Sequence, residues 1–252
     1  MKHWIRRYAT AGLACSTPAA VTLFGPDWHR DSRWQLHYPS TDLTPFAEKI
    51  DRKKVRADLG IPEGATVVGH VGRFDPQKNH AYLVEIAAEL IRLRPDMHVL
   101  LVGAGPLRED IETRVRRLGL GEHFTFAGLR ADVPRLMLGA MDCFILPSLY
   151  EGFPLAAIEA EAAGLPVVMS DVITPEAVLH DCITERVSLA RSPGVWASVV
   201  VRMCNGPRVS AAQAMAGISD SPFNINRAHH VLEDLDRTLA APRATALMTE
   251  AA

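Results

Sequence analysis

The residues best placed by type and spacing to do chemistry are two carboxylates and two cations. Glu151 and Glu159 stand in SLYEGFPLAAIEAEAAGLPVVMSD (148–171), and Arg73 and Lys78 in VVGHVGRFDPQKNH (67–80). Each segment reads as a strand, a loop and then a helix. A strand ends near Pro147, the loop carries Glu151-Gly152-Phe153, Pro154 suits the first turn of a helix, and Gly164 suits its C-terminal cap. Glu151 thus stands at the mouth of a sheet. Glu159, four residues after Leu155, projects near the core-facing side of the helix, whereas Glu161 fits a solvated face. A carboxylate beside a packed face usually has a partner. The plain reading is a solvated glutamate and two solvated surface cations; the functional one is a set of acceptors and cations gathered at one sheet edge.

Other constellations are weaker. Cys15, Cys143, Cys182 and Cys204 form no Cys-x-x-Cys pair, which suggests neither a zinc site nor a disulfide framework and suits a reducing cytosol. No His-Glu-x-x-His spacing occurs among the ten histidines. Asp234-Leu235-Asp236 has the form of a metal-binding pair but falls in a helical pattern with Leu235 on its apolar face, and His229-His230 reads as exposed helix. Arg114, Arg116 and Arg117 flank the core position Val115 and read as a solvated face, while Met137 and Met141 read as core. VGAGPL (102–107) opens a helix after a strand, but it lacks the third glycine of a dinucleotide fingerprint. That disfavours a nicotinamide-dependent oxidoreductase.

The elements that must position these residues are legible from Thr66 to about Arg191. Short β-branched runs alternate with amphipathic stretches, the mark of βαβ units and a parallel sheet. The strands are 67–72, 98–103, 124–128, 143–147, 166–170 and 186–189. Between them Leu83, Ile86, Ala87, Leu90 and Ile91, then Leu107, Ile111, Val115 and Leu118, recur at helical spacing; Val133, Leu136 and Met137 mark a third helix. Nearly continuous apolar strands imply helices on both faces, hence an α/β, doubly wound parallel sheet with ligands at the carboxyl ends of its strands. Residues 25–44 read as a linker, and 226–241 as an amphipathic helix. With 48% hydrophobic and 22% charged residues and a net charge of -2, the composition is globular and shows no basic face for nucleic acid. Lys2, Arg6 and Arg7 before YATAGLAC only faintly imitate a secretory signal, and no apolar run is long enough to span a membrane.

EGFPLAAIE followed by AEAAGLPVV resembles the signature of the retaining GT-B glycosyltransferases of family four (group 1). The resemblance implies that Glu151 contacts the donor sugar and that Glu159 bonds both ribose hydroxyls of the nucleotide. A carboxylate has two acceptor oxygens for two vicinal hydroxyls, which agrees. GRFDPQKN (72–79) resembles the family's Gly-Arg…Lys-Asn loop, implying that Gly72, Arg73 and Lys78 hold the donor diphosphate. Cations there would stabilise charge growing on the departing nucleotide. Backbone N–H groups of Gly152, Phe153 and Leu155 at the helix start suit a phosphate or sugar oxygen. FAGLRADVPRLMLGAMDCFILPS (126–148) matches the next strand, helix and strand, with Leu129 and Arg130 meeting the base. SDVITPEA (170–177) resembles the exopolysaccharide and capsule branch.

The resemblance further implies a Rossmann-like C-terminal donor domain over residues 45–252, with 1–44 the end of an acceptor domain plus the interdomain linker. YATAGLACSTPAAVTLFG (8–25) looks like the closing helix, strand and helix of that domain, the rest of which is largely absent; Leu13, Val21, Leu23 or Phe24 should then be exposed or folded onto the donor domain. In LHYPSTDLTPF (36–46), Pro39-Ser40-Thr41 replaces the family's usual Asn-Gly before Ile-Asp, and only Asp42 remains. The partners implied are a nucleotide sugar, a glycan or lipid-linked acceptor and a separate acceptor domain. No metal and no other cofactor are expected, and the place of work is the cytoplasm, with a peripheral place at the inner face of the membrane as the further option. The alternative is a truncated, inactive module that binds a nucleotide sugar without transferring it.

Overall fold

A computed structural model describes residues 2–206 and 209–226. The chain opens with helix α1 (Lys2–Tyr8), strand β1 (Gly12–Ala14), helix α2 (Thr17–Phe24) and strand β2 (Trp34–Leu36). The strands β1 and β2 pair in parallel as a separate two-stranded sheet. Phe24 stacks on Trp34 at 4.4 Å between ring centres and both are buried, so this unit holds a small cluster of its own. Val21 stays exposed, as do Trp4 and Tyr8 on α1. The expectation of an uncovered apolar surface holds for Val21 and fails for Phe24, because the unanticipated strand β2 supplies Trp34 to cover it. Being three residues long and containing Gln35, β2 shows no periodicity to read.

From Arg52 the main domain follows: α3 (Arg52–Asp58), β3 (Thr66–Val71), α4 (His80–Leu93), β4 (Met97–Val102), α5 (Arg108–Arg117), β5 (Phe124–Gly128), α6 (Val133–Gly139), β6 (Cys143–Leu146), α7 (Leu155–Ala162), β7 (Val167–Ser170), β8 (Thr184–Val187), α8 (Pro193–Cys204) and α9 (Ala211–Ile218). All six expected strands form one sheet in the order β5-β4-β3-β6-β7-β8, and every pairing is parallel.

Alternation along the strands feeds two cores. Val67, Leu100, Val102, Phe144, Leu146 and Val167 face a cluster that includes Leu136 and Ile158 of α6 and α7. Val68, Val99, Leu101, Cys143 and Ile145 face another built on Leu83, Ile86 and Leu90 of α4 and Trp196 of α8. The doubly wound architecture is therefore as expected. Leu118 departs from it. It follows the last turn of α5 and is 50% exposed, since the helical stripe ends with Val115. Of the helix expected over 226–241, all but its first residue, and with it Asp234, Asp236, His229 and His230, lies outside the described residues.

Candidate functional site

The strand order reverses between β3 and β6. The chain builds β4 and β5 on one side of β3, then returns to lay β6 on the other, so a crevice opens where the loops after β3 and β6 diverge. Lys78 and Glu151 meet there. Lys78 Nζ donates to Glu151 Oε1 at 2.6 Å, with side chains only 17% and 5% exposed. Ser148 Oγ donates to the same oxygen at 2.7 Å, and Gln77 Nε2 donates to Oε2 at 3.0 Å. A carboxylate offers about four acceptor positions, so one remains on Oε2.

The two loops are strapped together. Leu149 N–H donates to Gln77 O at 2.8 Å and Asn79 Nδ2 to Pro147 O at 3.1 Å, while Ser170 Oγ, at the end of β7, donates to Ser148 O at 2.6 Å. Asn79 takes the left-handed conformation, φ 55°, which asparagine tolerates better than most residues. Gln77 and Ser148 were not singled out from sequence; their adjacency to Lys78 and to the Glu151 loop was the available signal.

Three strand ends contribute to a neighbouring cavity of about 290 Å³ lined by Gly72, Arg73, Gly103, Leu129, Arg130 and Val133 among others. Arg73 is exposed, with no side-chain hydrogen bond or ion pair among the described residues, while Arg130 is held by Asp132 at 2.7 Å. Leu129 is 85% exposed. The glycines of VGAGPL serve close approach more than a tight turn. A Cβ on Gly103 would stand 2.0 Å from Gly72 O, and one on Gly105 would stand 2.5 Å from Phe74 O. Gly72 in turn lies over a buried histidine: its Cβ would stand 3.0 Å from His70 Nε2 and 3.2 Å from Lys78 Cδ.

His70 went unnoticed in the sequence because its run reads simply as a strand. Its Nδ1 lies 2.9 Å from Ile145 O, an acceptor, so Nδ1 carries the proton and Nε2 a lone pair. The His80 ring stands 4.7 Å from it and stacks on Phe74 at 4.1 Å. Burial drives both histidines towards the neutral form, His80 down to about 4 and His70 well below its ordinary value. Neutral imidazoles leave Lys78 as the cation of this floor.

Glu159, one turn into α7, is half-buried and accepts from Thr41 Oγ1 at 3.0 Å. Burial raises its pKa, and the Thr41 hydrogen bond opposes the rise. Phe153 packs against Phe223 and Tyr38, with centroids 5.0 and 5.5 Å away. The N–H groups of Gly152 and Phe153 donate to nothing among the described residues, whereas Leu155 N–H donates to Phe153 O at 3.2 Å. Of the three expected donors at the helix start, Leu155 is thus already engaged. Gly164, φ 72°, ends α7 as expected, and Leu165 N–H closes back to Ala160 O at 3.0 Å.

Glu161 corrects the sequence reading. It is fully buried, not solvated, and its Oε2 accepts from the N–H groups of Leu179 and His180 at 2.9 and 2.7 Å. The physical reason is that α7 is covered on both sides. The 171–180 segment lies against it, and α9 closes over that segment through Ala214 O, 3.1 Å from His180 Nε2. Burial lifts the Glu161 carboxyl to about 7. A larger cavity, about 640 Å³, opens beside Arg52, Arg56 and Ile61 at the opposite end of the sheet. Its arginines are engaged with Asp142 at 2.7 and 2.6 Å, which anchors α3 to the start of β6. Among the described residues no group of three or more His, Cys, Asp or Glu is placed to hold a metal ion, and no helix is long and apolar enough to cross a membrane.

Comparison with known proteins places this geometry. The family described as glycosyl transferases group 1 matches residues 51–187, more than half of the chain. The Bacillus subtilis protein EpsF is 36% identical over 197 residues, covering 77% of this chain and 50% of that protein. An Escherichia coli UDP-Gal:alpha-D-GlcNAc-diphosphoundecaprenol alpha-1,3-galactosyltransferase is 38% identical over 135 residues, 52% of this chain and 35% of that one. The chain thus spans about half the length, or less, of these two relatives. The crystal structure of Anabaena HepE with UDP and glucose shares the fold at a TM-score of 0.76 and 23% identity, over 95% of this chain and 65% of that one. The C-terminal domain of the group 1 protein LpcC from Francisella tularensis aligns over its whole length and 74% of this chain, at a TM-score of 0.60 and 22% identity.

Proposed function

This chain belongs to the glycosyl transferases of group 1, and we propose that its crevice holds a nucleotide-diphosphate sugar as the donor for retaining transfer to a glycan or lipid-linked acceptor. The observation that carries the reading is the buried Lys78–Glu151 pair at the strand-order reversal, with the exposed Arg73 beside it on the same loop. Glu159 receives the ribose hydroxyls, and Leu129 and Arg130 border the base. Arg73 and Lys78 take the diphosphate. As the glycosidic bond breaks, negative charge grows on the leaving diphosphate, and fixed cations stabilise that charge more than the ground state. Glu151 keeps one acceptor position for a sugar hydroxyl. The free N–H groups of Gly152 and Phe153 suit a phosphate or sugar oxygen.

Several observations support the finer points. HepE was crystallised with UDP and with UDP-glucose, and the Escherichia coli relative is named for a UDP-linked donor and a diphosphoundecaprenol acceptor; both favour a uridine donor, and the latter a lipid-linked acceptor. The separate β1–β2 unit supports residues 1–44 as acceptor-domain end and linker, and 45–252 as the donor domain. Because two side-chain cations face the diphosphate, the bound donor requires no divalent ion.

Calorimetry with UDP-, GDP- and ADP-sugars in EDTA tests the reading. One donor should bind saturably, without gain from Mg²⁺ or Mn²⁺, and Lys78→Met should weaken it. Binding that appears only with the metal, or that ignores Lys78→Met, would overturn it. Sugar transfer measured with the same donor separates a transferase from a module that binds without transferring.

A further inference from the structure

We propose that Thr41 is a positioning residue for the ribose-binding carboxylate, an inference that rests on the reading of Glu159 given above. The two residues lie 118 positions apart, yet Thr41 Oγ1 stands 3.0 Å from Glu159 Oε1. An ionised carboxylate can only accept, so the threonine hydroxyl donates. This is the one hydrogen bond that the Glu159 side chain makes among the described residues.

Thr41 is itself held at both ends of its peptide unit. Its N–H donates to Phe223 O at 2.9 Å, and its carbonyl accepts from Ile225 N–H at 3.1 Å, forming a parallel bridge with Asn224. Three residues earlier, Tyr38 packs edge-on against Phe223 at 5.4 Å and against Phe153 at 5.5 Å. The segment carrying Thr41 is therefore fastened to residues 223–225 and to the loop that precedes α7. A hydroxyl so mounted has a fixed position, which a mobile surface side chain would lack.

Glu159 needs such a fixture. A glutamate has three rotatable side-chain bonds, and freezing them costs conformational entropy that a ligand would otherwise supply on binding. One oxygen tethered by Thr41 leaves about three acceptor positions, enough for two vicinal ribose hydroxyls. The hydrogen bond also favours the ionised carboxylate against the pull of burial. Thr41 touches no substrate in this arrangement; it acts through Glu159.

Calorimetric titration with UDP and with 2′,3′-dideoxy-UDP tests the assignment, on the unsubstituted chain and on Thr41→Val, Thr41→Ser and Glu159→Gln. Thr41→Val, which keeps shape and removes the hydroxyl, should weaken UDP about three- to tenfold, the scale of one lost charge-assisted hydrogen bond partly compensated. The dideoxy ligand should not notice it, and Thr41→Ser should restore UDP affinity. Equal weakening of both ligands would reduce Thr41 to a structural contact and overturn the proposal. Tighter UDP binding by Thr41→Val would also overturn it, showing that the hydroxyl competes for the ribose seat. If Glu159→Gln weakens UDP and Thr41→Val does not, this inference alone fails. If Glu159→Gln leaves UDP unchanged, or the unsubstituted chain does not bind UDP, the ribose reading fails with it.

Discussion

Two glutamates two positions apart on the short helix α7 have opposite circumstances. Glu159 is half-buried with a single hydrogen bond among the described residues, while Glu161 is sealed against two backbone N–H groups. Replacing Glu161 would therefore disturb the fold, so the exposed Glu122 serves as the control for binding. The raised pKa of Glu161 has a stability consequence. Between 4.5 and about 7 the folded chain keeps a proton on Glu161 that the unfolded chain has released, so this group stabilises fully below 4.5 and its contribution is lost as pH rises to about 7. The loss is roughly 3 kcal/mol, at 1.36 kcal/mol per unit of pKa. The buried His80 and His98, both lowered to about 4, act in the opposite sense, adding stability as pH rises from 4 to 6.5. A difference measurement removes them. Urea unfolding of Glu161→Gln should gain on the unsubstituted chain steadily across pH 4.5–7, then run parallel above it; curves parallel throughout would refute the buried-carboxyl assignment.

At the scale of elements, the site depends on how closely the loops after β3 and β4 approach. Gly103 (φ 142°) lacks room for even a methyl group against Gly72 O, whereas Gly60 (φ 66°) has nothing within 4 Å of where its Cβ would stand. Gly60→Ala should cost about 1 kcal/mol for its left-handed backbone. Gly103→Ala should cost ~3 kcal/mol or more, because the backbone must move, and should weaken nucleotide binding by shifting Gly72. Denaturant melts of the two variants check the contrast, and equal costs would deny the close approach. Much of this scaffold was legible in the sequence. Nearly continuous apolar runs marked five strands of the main sheet, and βαβ alternation implied its parallel order; the sixth, expected at 186–189, runs Thr184–Val187 and carries Glu185 and Arg186, so only half of it was found. Glu151 and Lys78, far apart in sequence, were placed on loops that the structure brings into contact. What escaped has physical reasons. α8 is rich in Val at 195, 199, 200 and 201, β-branched residues that blur the helical period. α3 buries only Val55 and is fixed instead by an Asp51 N-cap and by ion pairs to Asp142. Thr41 reaches Glu159 through tertiary folding alone, with no local pattern to announce it.

At the scale of the whole molecule, two apolar layers clamp the six-stranded parallel sheet, and the candidate site lies at the carboxyl ends of its strands. Strand ends carry Gly72, Gly103 and Ser148, while the groups proposed to meet a ligand sit on the loops and the helix start just beyond. The chain spans about half the length of relatives such as EpsF, and its residues 51–187, which match the family, carry the crevice with Lys78 and Glu151. Donor binding is therefore the claim to test first, and the two site glutamates separate its parts. Calorimetry should be run with UDP and UDP-glucose on Glu159→Ala, Glu151→Gln and the control Glu122→Ala. Glu159→Ala should weaken both ligands equally, about ten- to hundredfold, because both carry the ribose. Glu151→Gln should weaken UDP-glucose but not UDP, since only UDP-glucose carries the sugar that Glu151 is proposed to contact. If Glu159→Ala binds both ligands as tightly as Glu122→Ala does, the crevice is not the nucleotide-sugar site.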